Sequence, residues 1–447
     1  MEEIASVPVH PERARVYVEG WQSWSPAGLF PVGAPPAPAS GDPAVIDCQY
    51  RQAAPEGVFQ GAGLLAVDPG NGGAPVVFGA ADASSQVPVI QAVLRGEQLV
   101  VSADAPVVQR ADGAPGGMLG VLGRWADRFG SRPVTLRAVP TVWCTWYQYY
   151  ERVTAPDVIE NVALMARLRL PIDVVQLDDG YQTCPGDWLS VRPGFGDLPG
   201  LVARIRDAGR RAGIWIAPWL VGRSSVLFRE HPDWVVRDPR SGEPVYAGSV
   251  VRDACFALDL THPGAAAYLA EVLRTLRGWG IDYFKADFCY AGAYDGVRAG
   301  GVSSSSGVAA YRQGLRLIRS AIGPDATLVG CGAPMLASVG LVDAMRVGPD
   351  IAARYEPADG LLSSPSQRNA TRNVLARAWQ HGRFWISDPD CMMLRPSVER
   401  RADWASVLTR CGGLWASGDG LGYLDTWGLE TTRALLRPAP VAVSIPA

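Results

Sequence analysis

The sequence is poor in histidine and its cysteines are dispersed. Only four histidines occur in 447 residues, and none of the eight cysteines forms a Cys-x-x-Cys pair with another. Structural zinc sites use such clusters, and disulfide-stapled domains are short and dense in cysteine. The sequence therefore predicts no metal site and no disulfide framework, which leaves buried free thiols as the interpretation.

Long apolar runs and a strong net charge are also absent. No apolar run approaches the ~18 to 20 residues that span a bilayer, and a formal net charge of −3 gives no strong field for a polyanion. Residues 1–16 lack the basic and apolar regions of a signal peptide. We therefore expect a cytoplasmic protein that binds neither nucleic acid nor membranes.

Lysine is nearly missing. Of the 41 basic residues, Lys285 is the only lysine and all the others are arginine. A position that keeps lysine in such a sequence suggests a site where a planar guanidinium cannot replace a compact ammonium. Chance retention is the alternative interpretation.

The chain is long enough for two or three domains. Up to about residue 130, short apolar stretches such as VYVEGWQSW, AVIDCQY, GLLAVDP and QLVVSAD alternate with Gly, Pro, Asn and Asp clusters. This pattern is typical of an antiparallel β-sandwich. We place an N-terminal sandwich at 1–130, a second domain at 131–425 and a short tail at 426–447.

The second domain alternates buried-type runs with helical patterns, which predicts an α/β fold with parallel strands. The eight runs are TVWCTW, IDVVQLDD, GIWIAPW, IDYFKADF, TLVGCGAP, VDAMRVGPD, RFWISDPD and CGGLWASGD. Eight strands favour a (β/α)₈ TIM barrel. CFALDL at 255–260 is an excess run, so the strand register is ambiguous from periodicity alone. A doubly wound open sheet competes, but its Gly-rich phosphate turn is missing.

Polar residues follow these runs, at the barrel edge where active sites form. Lys285 and Asp287 lie two apart in one strand and so face the same side. An ammonium beside a carboxylate keeps the carboxylate ionised and available as a nucleophile. A structural ion pair is the alternative. Arg346 lies near a strand end and Asp350 on the following loop, where Asp350 is either a catalytic group or part of a Pro-Asp turn.

Asp178 and Asp179 end another run, and Gly180 supplies the turn after them. Two carboxylates that accept hydroxyl hydrogen bonds, beside the flat ring of Trp215, suit a sugar. A helix cap for the aspartates and a core position for Trp215 are the alternatives. Two carboxylates on different barrel strands, without metal ligands or a nucleotide loop, point to glycoside chemistry.

Several segments together resemble the α-galactosidases of glycoside hydrolase family 36, the melibiases of clan D. They are WQSWSPAG, WYQYY, VVQLDDGYQ with GDW, GIWIAPW, YFKADF, GCGAP, LVDAMRVGPD and WISDPDCMMLR, in the family's order from about Trp21 to Asp419. The resemblance implies an N-terminal β-supersandwich and a barrel in which FKADF is the fourth strand and AMRVGPD the sixth. CFALDL then drops out of the barrel count.

The resemblance also implies a retaining double displacement that uses no cofactor. Asp287 matches the nucleophile and Asp350 the general acid/base. The remaining matches concern galactose: Asp178 and Asp179 for O4 and O6, Lys285 for O3 and O4, Arg346 for O2, Trp215 and Cys331 for the pocket wall, and Tyr149, more loosely, for a place near the nucleophile.

One departure from the family pattern and several alternatives remain. The family continues into a C-terminal β-sandwich, whereas this chain ends about 30 residues after its last predicted strand, so we expect that sandwich to be missing. The substrate is expected to be a small α-galactoside. An α-N-acetylgalactosaminidase, a galactosyl transglycosidase and a non-catalytic sugar-binding protein are the alternatives. A metal-dependent hydrolase is disfavoured by the scarcity of histidine. The oligomeric state is left open.

Overall fold

The structure is a computed structural model that describes residues 1–37, 54–130, 134–250, 253–299 and 307–436. The predicted run AVIDCQY and Cys48 lie outside these ranges. The strands of the N-terminal part are β1 (Glu2–Pro8), β2 (Arg15–Val18), β3 (Gly28–Pro31), β4 (Phe59–Ala62), β5 (Leu64–Asp68), β6 (Val76–Gly79), β7 (Val89–Arg95), β8 (Gln98–Ala103) and β9 (Val108–Ala111).

These strands form two antiparallel sheets. One has the order β1-β8-β7-β4 and the other the order β3-β2-β5-β6-β9. In β5, Leu65 and Val67 pack with the residues between the two sheets, whereas Leu64 and Ala66 pack into the core shared with the rest of the chain. Because side chains alternate along a strand, the five-stranded sheet is buried on both faces. The predicted N-terminal β-sandwich is confirmed as a fold; its exact boundary stays a prediction.

The later strands are β10 (Val142–Cys144), β11 (Val174–Leu177), β12 (Arg211–Ile216), β13 (Leu220–Gly222), β14 (Tyr246–Val250), β15 (Asp253–Ala257), β16 (Ile281–Ala286), β17 (Thr327–Gly330), β18 (Ala344–Arg346), β19 (Ile386–Asp388) and β20 (Ala416–Ser417). The helices are α1 (Gly117–Ala126), α2 (Trp146–Tyr149), α3 (Ala155–Arg167), α4 (Leu198–Asp207), α5 (Val226–Glu230), α6 (Pro263–Gly278), α7 (Gly307–Ile322), α8 (Gln367–Ala376), α9 (Arg401–Cys411) and α10 (Thr426–Leu435).

A parallel sheet of eight strands has the order β19-β18-β17-β16-β12-β11-β10-β20. The backbone N–H of Leu414 donates to the carbonyl of Ser387 at 2.9 Å, which links the segment before β20 to β19. The eight predicted runs supply these eight strands, so the (β/α)₈ barrel is confirmed, with β16 fourth and β18 sixth. CFALDL instead contributes β15 to a small antiparallel sheet of order β13-β15-β14.

Local signals explain the helices between the strands. Thr154 and Asp157 form a capping box at the start of α3, which satisfies backbone N–H groups that a helix start leaves free. The helical sequence patterns between the predicted strands, at 155–170, 197–212, 264–280 and 307–323, correspond to α3, α4, α6 and α7. Among the described helices, none is long and apolar enough to cross a membrane.

A buried ion pair joins the two parts of the chain. Arg377 Nε lies 2.6 Å from Glu19 Oε1, and both side chains are fully buried. The Arg377 guanidinium also donates to the backbone carbonyls of Ser23 at 2.9 Å and Gln22 at 3.1 Å. Asn373 Nδ2 donates to the Ser23 carbonyl as well, at 3.1 Å. These contacts fix residues 19–25 against the barrel, and we call them the seam.

Candidate active site

A cavity of about 220 Å³ contains most of the predicted site residues. It is smaller than the ~300 to 1,000 Å³ of pockets for drug-sized ligands and suits a single small polar ring. It lies at the carboxyl ends of barrel strands, where β11, β12 and β16 finish. Its lining residues are Trp24, Trp146, Glu151, Asp178, Asp179, Trp215, Ser249, Val250, Lys285, Asp287, Phe288 and Asp350.

Lys285 lies at the centre of the charged groups. Its Nζ is 2.9 Å from Asp178 Oδ2 and 3.9 Å from Asp287 Oδ2, and its side chain is 8% exposed. Burial alone would lower the pKa of Lys285, but the carboxylates of Asp178 and Asp287 outweigh it and raise that pKa well above its usual value. The ammonium is therefore charged across the working pH range.

Asp287 follows β16 and accepts hydrogen bonds from two sides. Trp215 Nε1 donates to Asp287 Oδ2 at 3.0 Å, and the backbone N–H of Phe288 donates to Oδ1 at 2.7 Å. The Trp215 ring is buried and packs edge-on against Trp188 and Phe288. Trp215 is thus both a wall of the cavity and a donor that orients Asp287.

Asp350 lies on the loop after β18, as the sequence predicts. Its Oδ1 is 2.9 Å from Arg346 Nη1, and 23% of its side chain is exposed although the group lies in the cavity wall. Desolvation raises the pKa of Asp350 to about 7, the negative charge of Asp390 acts in the same direction, and Arg346 opposes them. Asp350 can therefore carry a proton near neutral pH.

Asp178 and Asp179 differ in their surroundings. Asp178 Oδ2 accepts from Lys285 Nζ at 2.9 Å and from Gln176 Nε2 at 2.5 Å. Asp179 Oδ1 accepts from Gln182 Nε2 at 2.6 Å. Burial, with a smaller contribution from Asp178, raises the pKa of Asp179 to about 7. Asp178 is thus paired with an ammonium, whereas Asp179 can hold a proton near neutral pH.

Arg346 and Cys331 lie behind the cavity surface. Arg346 is 3% exposed and contacts Asp350, Asp388 and Asp390. Cys331 is buried directly after β17, and burial together with the charge of Asp287 raises the pKa of its thiol well above the usual value. The thiol is therefore neutral.

Tyr149 is not among the residues that line the cavity, so its place near the nucleophile stays a prediction. Its hydroxyl accepts from Asn161 Nδ2 at 2.6 Å, and its ring packs edge-on against Trp143. Asn161 of α3 holds the side chain there, while Trp146 of the same short helix lines the cavity instead.

Several lining residues were not singled out as site residues from the sequence. Trp24 comes from the WQSWSPAG segment that the seam holds, and Ser249 and Val250 come from β14 of the small antiparallel sheet. The signal for Trp24 was available, since WQSWSPAG is one of the segments that carry the family resemblance. Within the described ranges, no group of three or more His, Cys, Asp or Glu side chains is placed to hold a metal ion.

Comparison with known proteins places this geometry in a family. The melibiase family model matches residues 132–312. The α-galactosidase of Thermus thermophilus, solved in complex with p-nitrophenyl α-D-galactopyranoside, is 30% identical, with a TM-score of 0.80 over 97% of this chain and 87% of that one.

Two matches are more distant. A family 36 α-galactosidase structure from Geobacillus stearothermophilus has 16% identity and a TM-score of 0.63 over 97% of this chain and 61% of that one, so it supports the fold. A curated α-galactosidase of the same organism is 28% identical over 176 residues, which are 37% of this chain and 22% of that relative. The match therefore spans less than a quarter of that curated protein.

The Thermus enzyme agrees with this chain over nearly its whole length, and the family model covers the first half of the barrel. The chain belongs to the melibiase family, glycoside hydrolase family 36.

Proposed function

We propose that this protein is a retaining α-galactosidase, which hydrolyses terminal α-linked galactose through a covalent galactosyl-enzyme. The observation that carries the proposal is that Asp287 and Asp350, on different strands of one barrel, line the same small cavity in different electrostatic surroundings. Acid/base-assisted glycoside cleavage requires two carboxyl groups of which one is ionised and the other carries a proton. A cytoplasmic location stays a prediction from the sequence.

Asp287 is the nucleophile in this mechanism. Its carboxylate attacks the anomeric carbon on the side opposite the leaving group, and the galactosyl–oxygen bond breaks as the new ester bond forms. The hydrogen bond from Trp215 Nε1 and the backbone N–H of Phe288 fix the direction of attack. Lys285 places a positive charge beside the carboxylate before substrate binds.

Asp350 is the general acid and then the general base. Because its pKa is raised to about 7, the group carries a proton that it gives to the departing glycosidic oxygen. In the second step the same carboxylate takes a proton from water, and that water releases galactose with its α configuration kept. Retention requires the two carboxyl groups to lie ~5 to 5.5 Å apart when substrate is bound.

The other polar residues hold the sugar. Asp178 and Asp179 offer acceptors to O4 and O6, Lys285 donates to O3 and O4, and Arg346 donates to O2. Trp215 forms part of the wall, and Cys331, which the resemblance assigns to the same wall, lies behind the cavity surface. The family resemblance supplies these assignments, and the cavity geometry supports those for Asp178, Asp179, Trp215 and Lys285, which line it. The mechanism uses no cofactor.

A screen of nitrophenyl α- and β-glycosides of galactose, glucose and N-acetylgalactosamine tests the proposal. We expect the α-galactoside to be cleaved at least ten times faster than the other sugars, and proton NMR to show α-galactose as the first product. Faster cleavage of the N-acetylgalactosaminide would instead identify an α-N-acetylgalactosaminidase. Absence of turnover on every substrate by a folded protein would identify a non-catalytic sugar-binding protein.

A further inference from the structure

One guanidinium among the described residues faces three carboxylates in the barrel interior. Arg346 Nη1 is 2.9 Å from Asp350 Oδ1, its Nη2 is 2.8 Å from Asp390 Oδ1, and its Nε is 3.4 Å from Asp388 Oδ2. The Arg346, Asp388 and Asp390 side chains are at most 5% exposed. A single positive charge cannot neutralise three negative charges, two of them buried, so one of the carboxyl groups must hold a proton more readily than the others.

The hydrogen bonds show which group this is. Asp390 accepts from the Tyr147 hydroxyl, from the Ile351 N–H at 2.8 Å and from the Cys391 N–H at 2.6 Å, in addition to its contact with Arg346. Among the described residues, the carboxyl group of Asp350 receives a single donor, Arg346 Nη1. Burial raises the pKa of Asp390, but Arg346 and the donors from Tyr147 and Ile351 oppose that shift. Because donors that bind the charged form favour ionisation, we infer that the negative charge stays on Asp390 and the proton goes to Asp350.

We propose that Asp390 is a positioning residue that shares the Arg346 guanidinium with Asp350 and thereby keeps Asp350 protonated for its acid step. Asp390 is not among the residues that line the cavity, and its contact with Arg346 links it to Asp350. This inference deepens the proposed function and rests on it only for the role of Asp350. The raised pKa of Asp350, to which Asp390 contributes, agrees with it.

The backbone of Asp390 has an unusual conformation. Its φ is +86°, a left-handed conformation that few residues other than glycine, asparagine and aspartate adopt. This conformation lets the N–H groups of Ile351 and Cys391 reach the same carboxylate from two elements.

The other charged and titratable groups around this cluster are few. Lys285, at the end of β16, and Asp287, directly after it, both face Asp350. Asp388 faces Arg346 from β19. Arg395 lies near Tyr150, beyond α2. The surrounding neutral titratable groups are Tyr147, Tyr150, Tyr283, Cys331 and Cys391. None of these groups other than Asp390 combines a full negative charge, a direct contact with Arg346 and several donors from other elements.

The first test is the pH profile of Asp390→Asn, because asparagine keeps both the shape and the left-handed backbone. Removing the negative charge gives Arg346 more fully to Asp350 and lowers the pKa of Asp350. The basic limb of kcat/KM on an aryl α-galactoside should move down by about one pH unit. Asp419→Asn is the matched control, since Asp419 is a buried aspartate paired with Arg395 outside this cluster, and its basic limb should not move.

The second test needs no turnover. In the full chain with ¹³C-labelled aspartate carboxyls, the Asp350 signal, assigned with Asp350→Asn, should titrate about one pH unit lower in Asp390→Asn than in the unaltered protein. If Asp390→Asn does not fold, as judged by near-ultraviolet circular dichroism, Tyr147→Phe is the second variant. Loss of the phenol donor weakens the charge on Asp390 and should give a smaller shift in the same direction.

The outcomes separate the two proposals. A carboxyl shift without any α-glycosidase activity removes the proposed function and keeps the role of Asp390. Activity with an unshifted basic limb and an unshifted Asp350 titration in folded variants overturns the role of Asp390. In an Asp350→Ala background, Asp390→Asn should no longer move the pH profile on an activated aryl galactoside, and a persisting shift would also overturn it.

Discussion

Lys285 Nζ lies 2.9 Å from Asp178 Oδ2 and 3.9 Å from Asp287 Oδ2. One ammonium thus joins a carboxylate at the end of β11 to the proposed nucleophile after β16. The retention of lysine here, in a chain that otherwise uses arginine, has a geometric explanation. A compact ammonium lies within about 4 Å of both oxygens, and we expect that the larger, planar guanidinium of arginine would displace one of the carboxylates.

Lys285→Arg should therefore be poorly tolerated. We expect a fall of about 100-fold in kcat/KM on an aryl α-galactoside, since the larger group displaces Asp178 or Asp287 from the reactive geometry. Arg211→Lys is the control, because Arg211 lies at the other end of the neighbouring strand and pairs with Asp282 at a partly exposed site. Near-normal activity of Lys285→Arg would instead support chance retention of the single lysine.

Asp287→Ala should abolish hydrolysis. Loss of a nucleophile removes the covalent step, so we expect steady-state turnover to fall by at least about 10⁴-fold. Asp282→Ala offers a control on the same strand, since Asp282 lies near the opposite end of β16 and contacts Arg211. Substantial activity in Asp287→Ala would remove it as the nucleophile.

Asp350→Ala should discriminate between leaving groups. Nitrophenolate is a good leaving group and needs little protonation. The sugar that leaves raffinose departs through an alkoxide-like hydroxyl oxygen, which must receive a full proton. We expect the loss in the glycosylation step to be larger for raffinose by about 10² to 10³-fold, measured as kcat/KM. Equal losses on both substrates would contradict the acid role.

The raised pKa of Asp350 also makes a prediction for stability. The folded protein holds this proton up to about pH 7, whereas the unfolded chain releases it near pH 4. Stability therefore decreases as the pH rises from about 4 to 7, by an upper bound of ~4 kcal/mol for this group. Asp350→Asn should unfold at a higher urea concentration than the unaltered protein at pH 8 but not at pH 4. If Asp350→Asn instead unfolded at a lower urea concentration than the unaltered protein at pH 8, ionisation of Asp350 would not destabilise the folded protein, and the prediction would be wrong.

The seam should respond strongly to the loss of one partner. Arg377→Met leaves Glu19 as an uncompensated buried carboxylate, so we expect the free energy of unfolding to fall by about 3 to 5 kcal/mol in urea titrations. Adding Glu19→Gln should restore part of this loss. If Arg377→Met alone were as stable as the unaltered protein, the ion pair would not hold the two parts together.

Much of the fold could be predicted from the sequence, because buried parallel strands give apolar runs that end in polar residues. Asp178, Lys285, Asp287 and Asp350 each follow or end such a run, and the structure brings them to one cavity. The excess run at 255–260 was ambiguous since its periodicity does not distinguish a barrel strand from β15.

The rest depends on contacts between distant segments, which periodicity does not encode. Trp24 reaches the cavity because Arg377 and Asn373, about 350 positions later, bind the backbone around Ser23. Tyr149 is not among the lining residues, and Asn161 of the next helix donates to its hydroxyl. The donors that set the charge of Asp390 come from Tyr147, Ile351 and Cys391, and only the folded chain shows that they meet.

Trp24 belongs to the chain that precedes the barrel, yet it forms one wall of the cavity. A barrel excised from this protein would lose that wall. The Arg377 guanidinium would lose Glu19 and the carbonyl of Ser23 and would keep the Val347 carbonyl as an acceptor. Exchanging the N-terminal β-sandwich between members of the family, with the seam preserved, would consequently change the shape of the cavity. Every charged group of the barrel would stay unchanged.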